Sequence, residues 1–397
     1  MSIAWQIRAA NIECHSPRGW RVRRIVDLVD LANGYPFPSD SFGSTGEIPL
    51  VRIRELVTHV EDFSTYVSGD IPRECILENG DIVVGMDGDF NAIRWARGKA
   101  ALNQRLCRLR PRAGVDIRFI GYALPSILGI INDLTYSTTV KHLSSSDILS
   151  EILPLPPLDE QRRIADFLDA ETARIDELIR LRKIQVDRLA EALRNEAGRI
   201  NPDWQRVPLR RVVNSAQTGT TPSEILLPAD PENVPWYTPA ALGGTLDLNE
   251  ADKSIRREDF PAVPRFPAGS ILIVGIGESL GKVADLDHEA TGNQQLTAIN
   301  IPSASDRRFV LWRLYAAYDE IRNWAQYSRI RILNNDVLKS FRIPVPELGE
   351  QIKIRQKLDH RLAEFIGFRD AAAQFSRLAS ERRQALITAA VTGAITV

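Results

Sequence analysis

A sixteen-residue segment occurs twice in the chain, and this repeat limits the possible folds more than any other feature of the sequence. The first copy, residues 154–169, reads PLPPLDEQRRIADFLD, and the second, residues 344–359, reads PVPELGEQIKIRQKLD. Eight of the sixteen positions are identical without gaps, far more than unrelated segments share. The identical residues of the first copy are Pro154, Pro156, Leu158, Glu160, Gln161, Ile164, Leu168 and Asp169.

The similarity extends upstream of each copy at nearly the same spacing. NGDIVVGMDG at residues 79–88 aligns with AGSILIVGIG at 268–277, and the Asn-Gln pair at 103–104 aligns with the same pair at 293–294. The 397-residue chain is therefore a tandem duplication with a period of roughly 190 residues. Solenoid repeats are much shorter and more numerous, so two globular domains are expected instead.

Each copy of the repeat opens a long amphipathic pattern. In the first, apolar residues such as Ile175 and Leu189 recur at steps of three and four with no proline or glycine before Gly198. The second continues in the same way, with Gly367 inside the pattern. The pattern predicts two helices of about 40 residues, each roughly 60 Å long. Their near-heptad spacing favours a coiled-coil pair over two separate helices that face the cores of their own domains.

The segments before each long helix indicate mixed secondary structure. Short apolar runs bounded by glycine, such as GSILIVGIG, are typical of buried strands, and a helical pattern occurs at 307–325. We therefore predict an α+β fold in which two diverged globular recognition domains alternate with two long helices that pair as an antiparallel coiled coil. The predicted divisions are 1–155 and 201–345 for the domains, and 156–200 and 346–397 for the helices.

Composition excludes several classes of protein. The formal net charge of -1 excludes a uniformly basic protein that coats nucleic acid or acidic lipid. The longest apolar stretch, residues 119–131, is too short to span a bilayer, and no secretory signal precedes it. Cys14, Cys75 and Cys107 lie far apart, which indicates neither a disulfide framework nor a zinc cluster. We therefore expect a cytoplasmic protein without membrane contact.

Catalytic motifs are weak. GESLG at 277–281 fits a nucleophile elbow centred on Ser279, but the residues that follow it do not begin a helix. Phe90 occupies the position that matches Ser279 in the first half. His288 is too close in sequence for the usual order of a hydrolase. The five histidines show no paired spacing that suits a metal. The sequence predicts no catalytic residue and no metal site, with a hydrolase based on Ser279 as an alternative.

A basic segment is the main binding signal. Residues 91–112 contain seven lysines and arginines and no acidic residue, which suits contacts to phosphates and base edges, although a solvated charged surface has the same composition. The Asn-Gln pair occurs in both halves, and a structural role suits it at least as well as base contact. The predicted DNA-binding residues are Arg94, Arg97, Lys99, Arg105 and Lys141 in the first half, and Lys282, Arg329, Arg331 and Asn334 in the second.

Together these motifs resemble the specificity subunit of type I restriction-modification systems. The similarity is carried by the two Pro-x-Pro to Glu-Gln segments with their helices, by DGDFNAIRWARGKAALNQRL and GESLGKV, and by the C-terminal AAVTGAI. The resemblance implies that each domain reads one half of an asymmetric two-part site in double-stranded DNA. It also implies that the helices set the unread spacer between the halves.

The same resemblance implies partners. In that family two modification subunits carry S-adenosylmethionine and the methylation chemistry, and restriction subunits add cleavage driven by ATP with Mg²⁺, so this chain itself is expected to hold no cofactor. The alternative is a two-domain DNA-binding protein that acts without partners. The residues predicted to dock partners are Glu160, Gln161, Ile164 and Leu168 on the first helix, and Glu350, Gln351, Ile354 and Leu358 on the second.

Overall fold

The computed structural model describes residues 16–57, 63–134, 142–327 and 331–397. The chain divides into two compact units. The first contains the chain up to Arg180 together with Phe375–Val397, and the second contains Leu181–Gln374. Each unit therefore holds one α+β domain and a part of each long helix.

The first unit consists mainly of short strands and two longer helices. Its strands are β1 (Arg21–Arg24), β2 (Val29–Asn33), β3 (Phe42–Gly43), β4 (Ile48–Val51), β5 (Tyr66–Val67), β6 (Ile76–Leu77), β7 (Ile82–Gly85), β8 (Ala92–Arg94), β9 (Ala100–Leu102), β10 (Leu106–Pro111) and β11 (Ile152–Leu155). Its helices are α1 (Ile25–Leu28), α2 (Ile53–Val57), α3 (Ile117–Leu134), α4 (Ser145–Ser150) and the first part of α5 (Leu158–Gly198).

The second unit repeats this arrangement with its own set of elements. Its strands are β12 (Arg206–Pro208), β13 (Ser215–Thr218), β14 (Val234–Tyr237), β15 (Lys253–Ile255), β16 (Ser270–Val274), β17 (Val283–Leu286), β18 (Thr291–Gly292), β19 (Leu296–Asn300), β20 (Gln326–Tyr327), β21 (Arg331–Ile332) and β22 (Arg342–Pro344). Its helices are α6 (Arg307–Ala316), α7 (Tyr318–Trp324), α8 (Asn335–Ser340) and the first part of α9 (Leu348–Val391).

Sheet topology shows the duplication directly. An antiparallel sheet of order β2-β10-β7-β8 in the first unit matches one of order β13-β19-β16-β17 in the second. The antiparallel pair β1 and β11 matches β12 and β22, and the parallel pair β4 and β9 matches β14 and β18. The two halves therefore share one frame although much of their sequence differs.

The two long helices pair with each other inside each unit. In the first unit Ile164 and Leu168 of α5 share a buried cluster with Ile387 and Val391 near the end of α9. In the second unit Leu193 of α5 lies with Leu358, Leu362 and Phe365 of α9. Residue numbers rise along one helix while they fall along the other, so the pair is antiparallel. The predicted fold class is confirmed.

Both helices are continuous over the predicted length. Helix α5 has 41 residues and α9 has 44, and α9 passes through Gly367 without a break. The segment 307–325, where the sequence shows one helical pattern, forms two helices. Helix α6 ends at Ala316 and α7 begins at Tyr318. Among the helices of the described residues, none combines the length and the hydropathy that crossing a membrane requires.

Candidate nucleic-acid interface

Several connecting segments meet at one end of the four-stranded sheet of the first unit. The amide of Tyr35 donates to the carbonyl of Leu102 at 2.9 Å, and the amide of Met86 donates to the carbonyl of Arg105 at 3.0 Å. Asp87 forms a bridge with His142 at the same end. We call this group the first loop cluster, and it comprises residues 34–37, 86–91 and 103–105 with His142.

The second unit builds the corresponding group from the corresponding segments. The amide of Thr220 donates to the carbonyl of Gly292 at 2.8 Å, and the amide of Gly275 donates to the carbonyl of Gln295 at 2.7 Å. Ile276 forms a bridge with Ile332. This second loop cluster comprises residues 219–221, 275–281, 293–295 and 331–332.

A glycine lets two backbone segments cross closely in each cluster. A Cβ atom on Gly34 would lie 2.0 Å from the carbonyl oxygen of Asn103, and one on Gly219 would lie 2.1 Å from that of Gly292. No other residue type fits such a crossing without moving the backbone. Gly34 and Gly219 therefore allow the two loop clusters to form at equivalent positions of the shared frame.

The Asn-Gln pair forms the same turn in both clusters. The side-chain oxygen of Asn103 accepts a hydrogen bond from the amide of Arg105 at 3.2 Å, and that of Asn293 accepts from the amide of Gln295 at 3.1 Å. A structural role is therefore confirmed for the asparagine, which closes the turn. The following glutamine, Gln104 or Gln294, is exposed.

The exposed side chains of the two clusters differ in chemistry. In the first, Arg105 is 57% exposed and pairs with Asp87 at 3.4 Å, and Asp87 also contacts Nδ1 of His142 at 2.7 Å. In the second, the hydroxyl of Thr221 donates to Gln294 at 2.6 Å. Guanidinium and amide groups are the side chains that most often hydrogen-bond to base edges. The clusters can therefore make different base contacts from one frame.

The basic segment at 91–112 does not form a single surface, and that interpretation of the sequence is corrected. Arg94 lies on β8 opposite Ile82, at the other end of the hairpin from the loop cluster, and Arg97 donates to the carbonyl of Glu55 at 3.0 Å. Lys99 is exposed, whereas Arg108 is buried. Side chains alternate between faces along strands, so a run of cations is distributed over several surfaces. Of the basic residues in this segment, Arg105 lies in the loop cluster.

The predicted residues of the second domain have varied environments. Lys282 is half-buried at the end of the hairpin turn and lines one pocket together with Arg194. Arg331 donates to the carbonyl of Arg322 at 3.2 Å. The side-chain oxygen of Asn334 caps α8, where it accepts from the amide of Val337 at 2.9 Å. Its amide oxygen is therefore already used by the fold. Lys141 and Arg329 lie outside the described residues.

The buried glutamine of the repeat connects each long helix to its domain. Oε1 of Gln161 accepts from the amide of Asp116 at 2.9 Å, and its Nε2 donates to the carbonyl of Pro156 at 2.8 Å. Gln351 makes the same two hydrogen bonds, to Asp306 at 2.9 Å and to Pro346 at 2.8 Å. Because both glutamine side chains are buried, their polar atoms depend on these partners.

The aspartate at the end of the repeat makes a second connection. Asp169 accepts from the hydroxyl of Tyr122 at 2.6 Å and from the guanidinium groups of Arg118 and Arg94, each at 3.2 Å. Asp359 accepts from Nε1 of Trp312 and from Nε of Arg308, each at 2.9 Å. We call these two sets of contacts the joints. The first joint comprises Gln161, Asp169, Asp116, Arg118, Tyr122 and Arg94, and the second comprises Gln351, Asp359, Asp306, Arg308 and Trp312.

Charge in the first joint is balanced by these contacts. Burial raises the pKa of Asp169, but the hydrogen bond from Tyr122 and the charge of Arg94 together lower it by more. The pKa of Asp169 is therefore below its ordinary value. The pKa of Asp116 is also lowered, because hydrogen bonds from Arg118 outweigh the effect of burial. Both carboxylates are therefore held in the ionised form that the joint requires.

Three of the eight predicted docking residues are buried in the hydrophobic cores, which corrects their interpretation, while docking by the others stays a prediction. Ile164, Leu168 and Leu358 are buried in the cores of their own units, so their side chains offer no surface to a partner. Glu160 accepts from the indole of Trp20 at 3.1 Å. Glu350 is exposed and Ile354 is partly buried, while the two glutamines lie in the joints.

Other residues of the helix pair remain exposed. Leu178 of α5 is 44% exposed and Leu378 of α9 is 51% exposed. Both line an apolar groove of about 310 Å³ in the first unit, together with Ile175 and Phe375. Leucines exposed at such a groove are typical of surfaces that bind another helix.

Sequence reasoning missed the domain side of the joints. Arg118 and Arg308 occupy equivalent positions, as do Tyr122 and Trp312. A signal was present, because Asp116 precedes Gln161 by 45 residues and Asp306 precedes Gln351 by the same 45. The aligned aspartates and arginines at that spacing would have identified the pair.

Ser279 lies in a turn between two strands. Strands β16 and β17 on either side of it pair as an antiparallel hairpin, so the strand-turn-helix context of a nucleophile elbow is not formed there. His288 contacts the hydroxyl of Tyr237 at 2.9 Å instead of a serine. Among the residues that the structure describes, no group of three or more His, Cys, Asp or Glu side chains is arranged to hold a metal.

Comparisons with known proteins agree on one family. A family model described as the type I restriction modification DNA specificity domain matches residues 17–188 and again 201–366. The type I restriction enzyme EcoBI specificity subunit of Escherichia coli is 42% identical over 159 residues, which cover 40% of this chain and only 33% of that relative. The MjaVIII specificity subunit of Methanocaldococcus jannaschii is 23% identical over 395 residues, 86% of each chain.

A solved structure shows the same fold. It comes from a study of complex assembly and conformational transition of the type I R-M system, and the match has a TM-score of 0.68 at 19% identity. The alignment covers 96% of this chain and 99% of that chain. At this level of identity the match supports the fold of each unit, including the long helices.

Proposed function

Because the chain belongs to the family of type I restriction modification DNA specificity domains, we propose that it is the DNA-recognition subunit of a type I restriction-modification complex. Each loop cluster contacts one half of an asymmetric two-part site in double-stranded DNA. The observation that carries this proposal is the pair of equivalent loop clusters, which share their frame and differ in exposed side chains. Two different readers on one chain suit a site with two different halves.

The long helices would set the spacer between the two halves. A rigid pair of helices transmits a fixed separation in the same way that dimer geometry fixes half-site spacing in other DNA-binding proteins. The continuity of α5 and α9 over 41 and 44 residues supports this role. The bases in the spacer would remain unread.

The proposal includes partners that supply the chemistry. Two modification subunits with S-adenosylmethionine would methylate the DNA, and restriction subunits with ATP and Mg²⁺ would cleave it, in the cytoplasm. The exposed groove at Leu178 and Leu378 offers a docking surface on the helix pair. That groove favours a partnered subunit over a two-domain DNA-binding protein that acts alone. The hairpin context of Ser279 gives no support to a hydrolase.

Mapping methylated adenines in the host genome tests the main proposal. The gene is deleted and then restored either as the wild type or as the Arg105→Ala variant. Loss of a two-part motif on deletion, with recovery in the wild type, supports the proposed function. If methylation does not change on deletion, and if the purified chain with candidate modification subunits methylates no DNA, the proposal is wrong.

An insertion tests the role of the helices. Four residues are added near Ile179 in α5 and four near Phe375 in α9, because these two regions pack together in the first unit. The pair becomes about 6 Å longer, so the spacer should grow by about one or two base pairs. Four residues added between Pro231 and Glu232, in an exposed loop, are the control and should leave the spacer unchanged. An unchanged spacer in the helix variant would contradict the role of the helices.

A further inference from the structure

The two joints repeat one set of contacts with nearly the same distances. In both, a buried glutamine bridges the amide at the start of a domain helix and a proline carbonyl before the long helix. In both, an aspartate further along the long helix accepts from an arginine and from an aromatic donor of that domain helix. The aromatic residue differs, since Tyr122 donates an O–H and Trp312 an N–H. The donated hydrogen bond is retained although the side chain is not.

Two contact points fix a direction, which a single one does not. Gln161 and Asp169 are separated by eight residues of one helix, or about 12 Å. One point of contact allows a domain to pivot, whereas two points at this distance hold α3 at a set angle to α5. Gln351 and Asp359 have the same separation and hold α6 in the same way.

The joints therefore have a consequence for DNA recognition. We propose that Gln161, Asp169, Gln351 and Asp359 are positioning residues, which hold each recognition domain at a fixed angle to its long helix and so determine which spacer length is accepted. This inference rests on the proposed function. These four residues act through the domains that they hold and not through contacts with DNA.

The charged contacts around the two aspartates differ between the joints. In the first, the fourth strand of the sheet supplies a cation, Arg94, directly to Asp169. In the second, the equivalent strand supplies an anion, Asp285, which pairs with Arg307 and with Arg308 at 2.6 Å. Arg308 is thus shared between two carboxylates, whereas Arg118 is shared among Asp116, Asp166 and Asp169. In the second joint, Arg355 of α9 adds an ion pair to Asp306 at 3.2 Å. Each joint therefore holds several ion pairs between the long helix and its domain, and loss of the aspartate charge should loosen both joints.

The test measures spacer tolerance separately from base preference. The complex is purified with its modification subunits and given a DNA library in which the two wild-type half-sites are separated by every spacer length over a range of several base pairs. The variants are Asp169→Asn and Asp359→Asn, which keep the side-chain shape. The control variants are Asp187→Asn on α5 and Asp370→Asn on α9, whose side chains are exposed outside the joints.

The expected result is a broader spacer profile with unchanged half-sites. Methylation at spacers one base pair shorter or longer than the preferred length should rise by about tenfold relative to that length, the factor expected when a charge-assisted hydrogen bond is lost. The increase should appear in both Asp359→Asn and Asp169→Asn, and the controls should match the wild type. A role in stability alone would lower the melting temperature without changing the spacer profile.

Tyr122→Phe tests the first joint by a smaller change than Asp169→Asn. If Asp169→Asn fails to fold, Tyr122→Phe removes only one hydroxyl and should broaden the profile in the same direction. An unchanged profile in both aspartate variants, or a change in the half-site bases, overturns the inference. A wild-type complex that methylates no two-part site removes the proposed function and this inference together, whereas a wild-type motif with unchanged variants removes the inference alone.

Discussion

The joints and the loop clusters of this chain differ in how far the two halves agree. In the joints, the glutamine, the aspartate and the arginine are the same residue types in both halves, and the distances agree closely. In the loop clusters, the frame is the same, but Arg105 of the first corresponds to Gln295 of the second. The halves are alike where a domain is attached to its helix and different where it faces outward.

This comparison explains why one short motif is present twice. Pro156 supplies a carbonyl, Gln161 and Asp169 form the joint, and Ile164 and Leu168 fill the core beneath it. Five of the eight identical positions of the first copy therefore serve attachment. Positions that read DNA have no reason to be shared between two different half-sites.

Truncation of the buried leucines should have the largest effect. Leu168→Ala and Leu358→Ala should each lower the free energy of unfolding by about 3 kcal/mol, because each leaves a cavity in a packed core. Denaturant unfolding of the purified chain measures this, and Leu178→Ala, at an exposed leucine, is the control with a loss below about 1 kcal/mol. Normal stability combined with lost binding of modification subunits would show that these leucines are docking residues after all.

Replacement of the buried glutamines should have the next largest effect. Gln161→Met and Gln351→Met keep the volume but leave a backbone amide and a carbonyl without a partner, so each should cost about 2 kcal/mol. The loss at Gln161 should be at least as large as the loss at Gln351, because Nε2 of Gln161 also donates to the carbonyl of Gly114 at 3.4 Å. Gln185→Met, on an exposed part of α5, is the control. A loss at one position only would break the equivalence of the joints.

The helix pair could be predicted from the sequence because its signal is periodic and local. Steps of three and four, with no proline, were enough to give both long helices, and α9 tolerates Gly367 because that position is exposed. The joints could be predicted only in part. Asp169 and Asp359 are visible as identical residues, but Tyr122 and Trp312 share only a hydrogen-bond donor, which residue identity does not reveal.

The basic segment shows why surfaces are harder to predict. Arg94, Arg105 and Arg108 are close in sequence, yet they lie in a joint, in a loop cluster and in a buried contact with the carbonyl of Glu74. Strand alternation and the turn at Asn103 decide which way each side chain points. Charge composition alone contains no information about these directions.

A pair of arginine variants tests the division between joint and loop cluster. Arg105→Ala should relax base preference in one half-site by about 1.5 kcal/mol and leave the other half-site unchanged, because a guanidinium in a loop cluster can read a base. Arg94→Ala is the matched control, and base preference in both half-sites should stay as in the wild type. Sequencing of methylated sites measures both. If Arg94→Ala relaxes base preference and Arg105→Ala does not, the loop clusters are not the reading surface.

The smallest expected effect is a dependence of the first joint on pH. The folded-state pKa of Asp169 is lowered, since the bonds from Tyr122 and the charge of Arg94 outweigh the opposing effect of burial, while the unfolded value is about 3.9. A carboxyl of this kind contributes stability that is fully present above the unfolded pKa and is lost as the pH falls through the folded pKa. The difference in melting temperature between the wild type and Asp169→Asn should therefore be largest near neutral pH and shrink below about pH 4.

The exposed Asp187→Asn is again the control for that measurement, and its difference from the wild type should remain small at every pH. Equal melting temperatures of the wild type and Asp169→Asn at every pH from neutral to about pH 3 would mean that the charge of Asp169 is not what holds the joint. The tyrosine hydroxyl would then be the important partner, because it can donate to an asparagine oxygen as well as to a carboxylate. In that case the first joint would be held by a neutral hydrogen bond from an aromatic residue, and the arginines around it would have no part in fixing the angle of the domain.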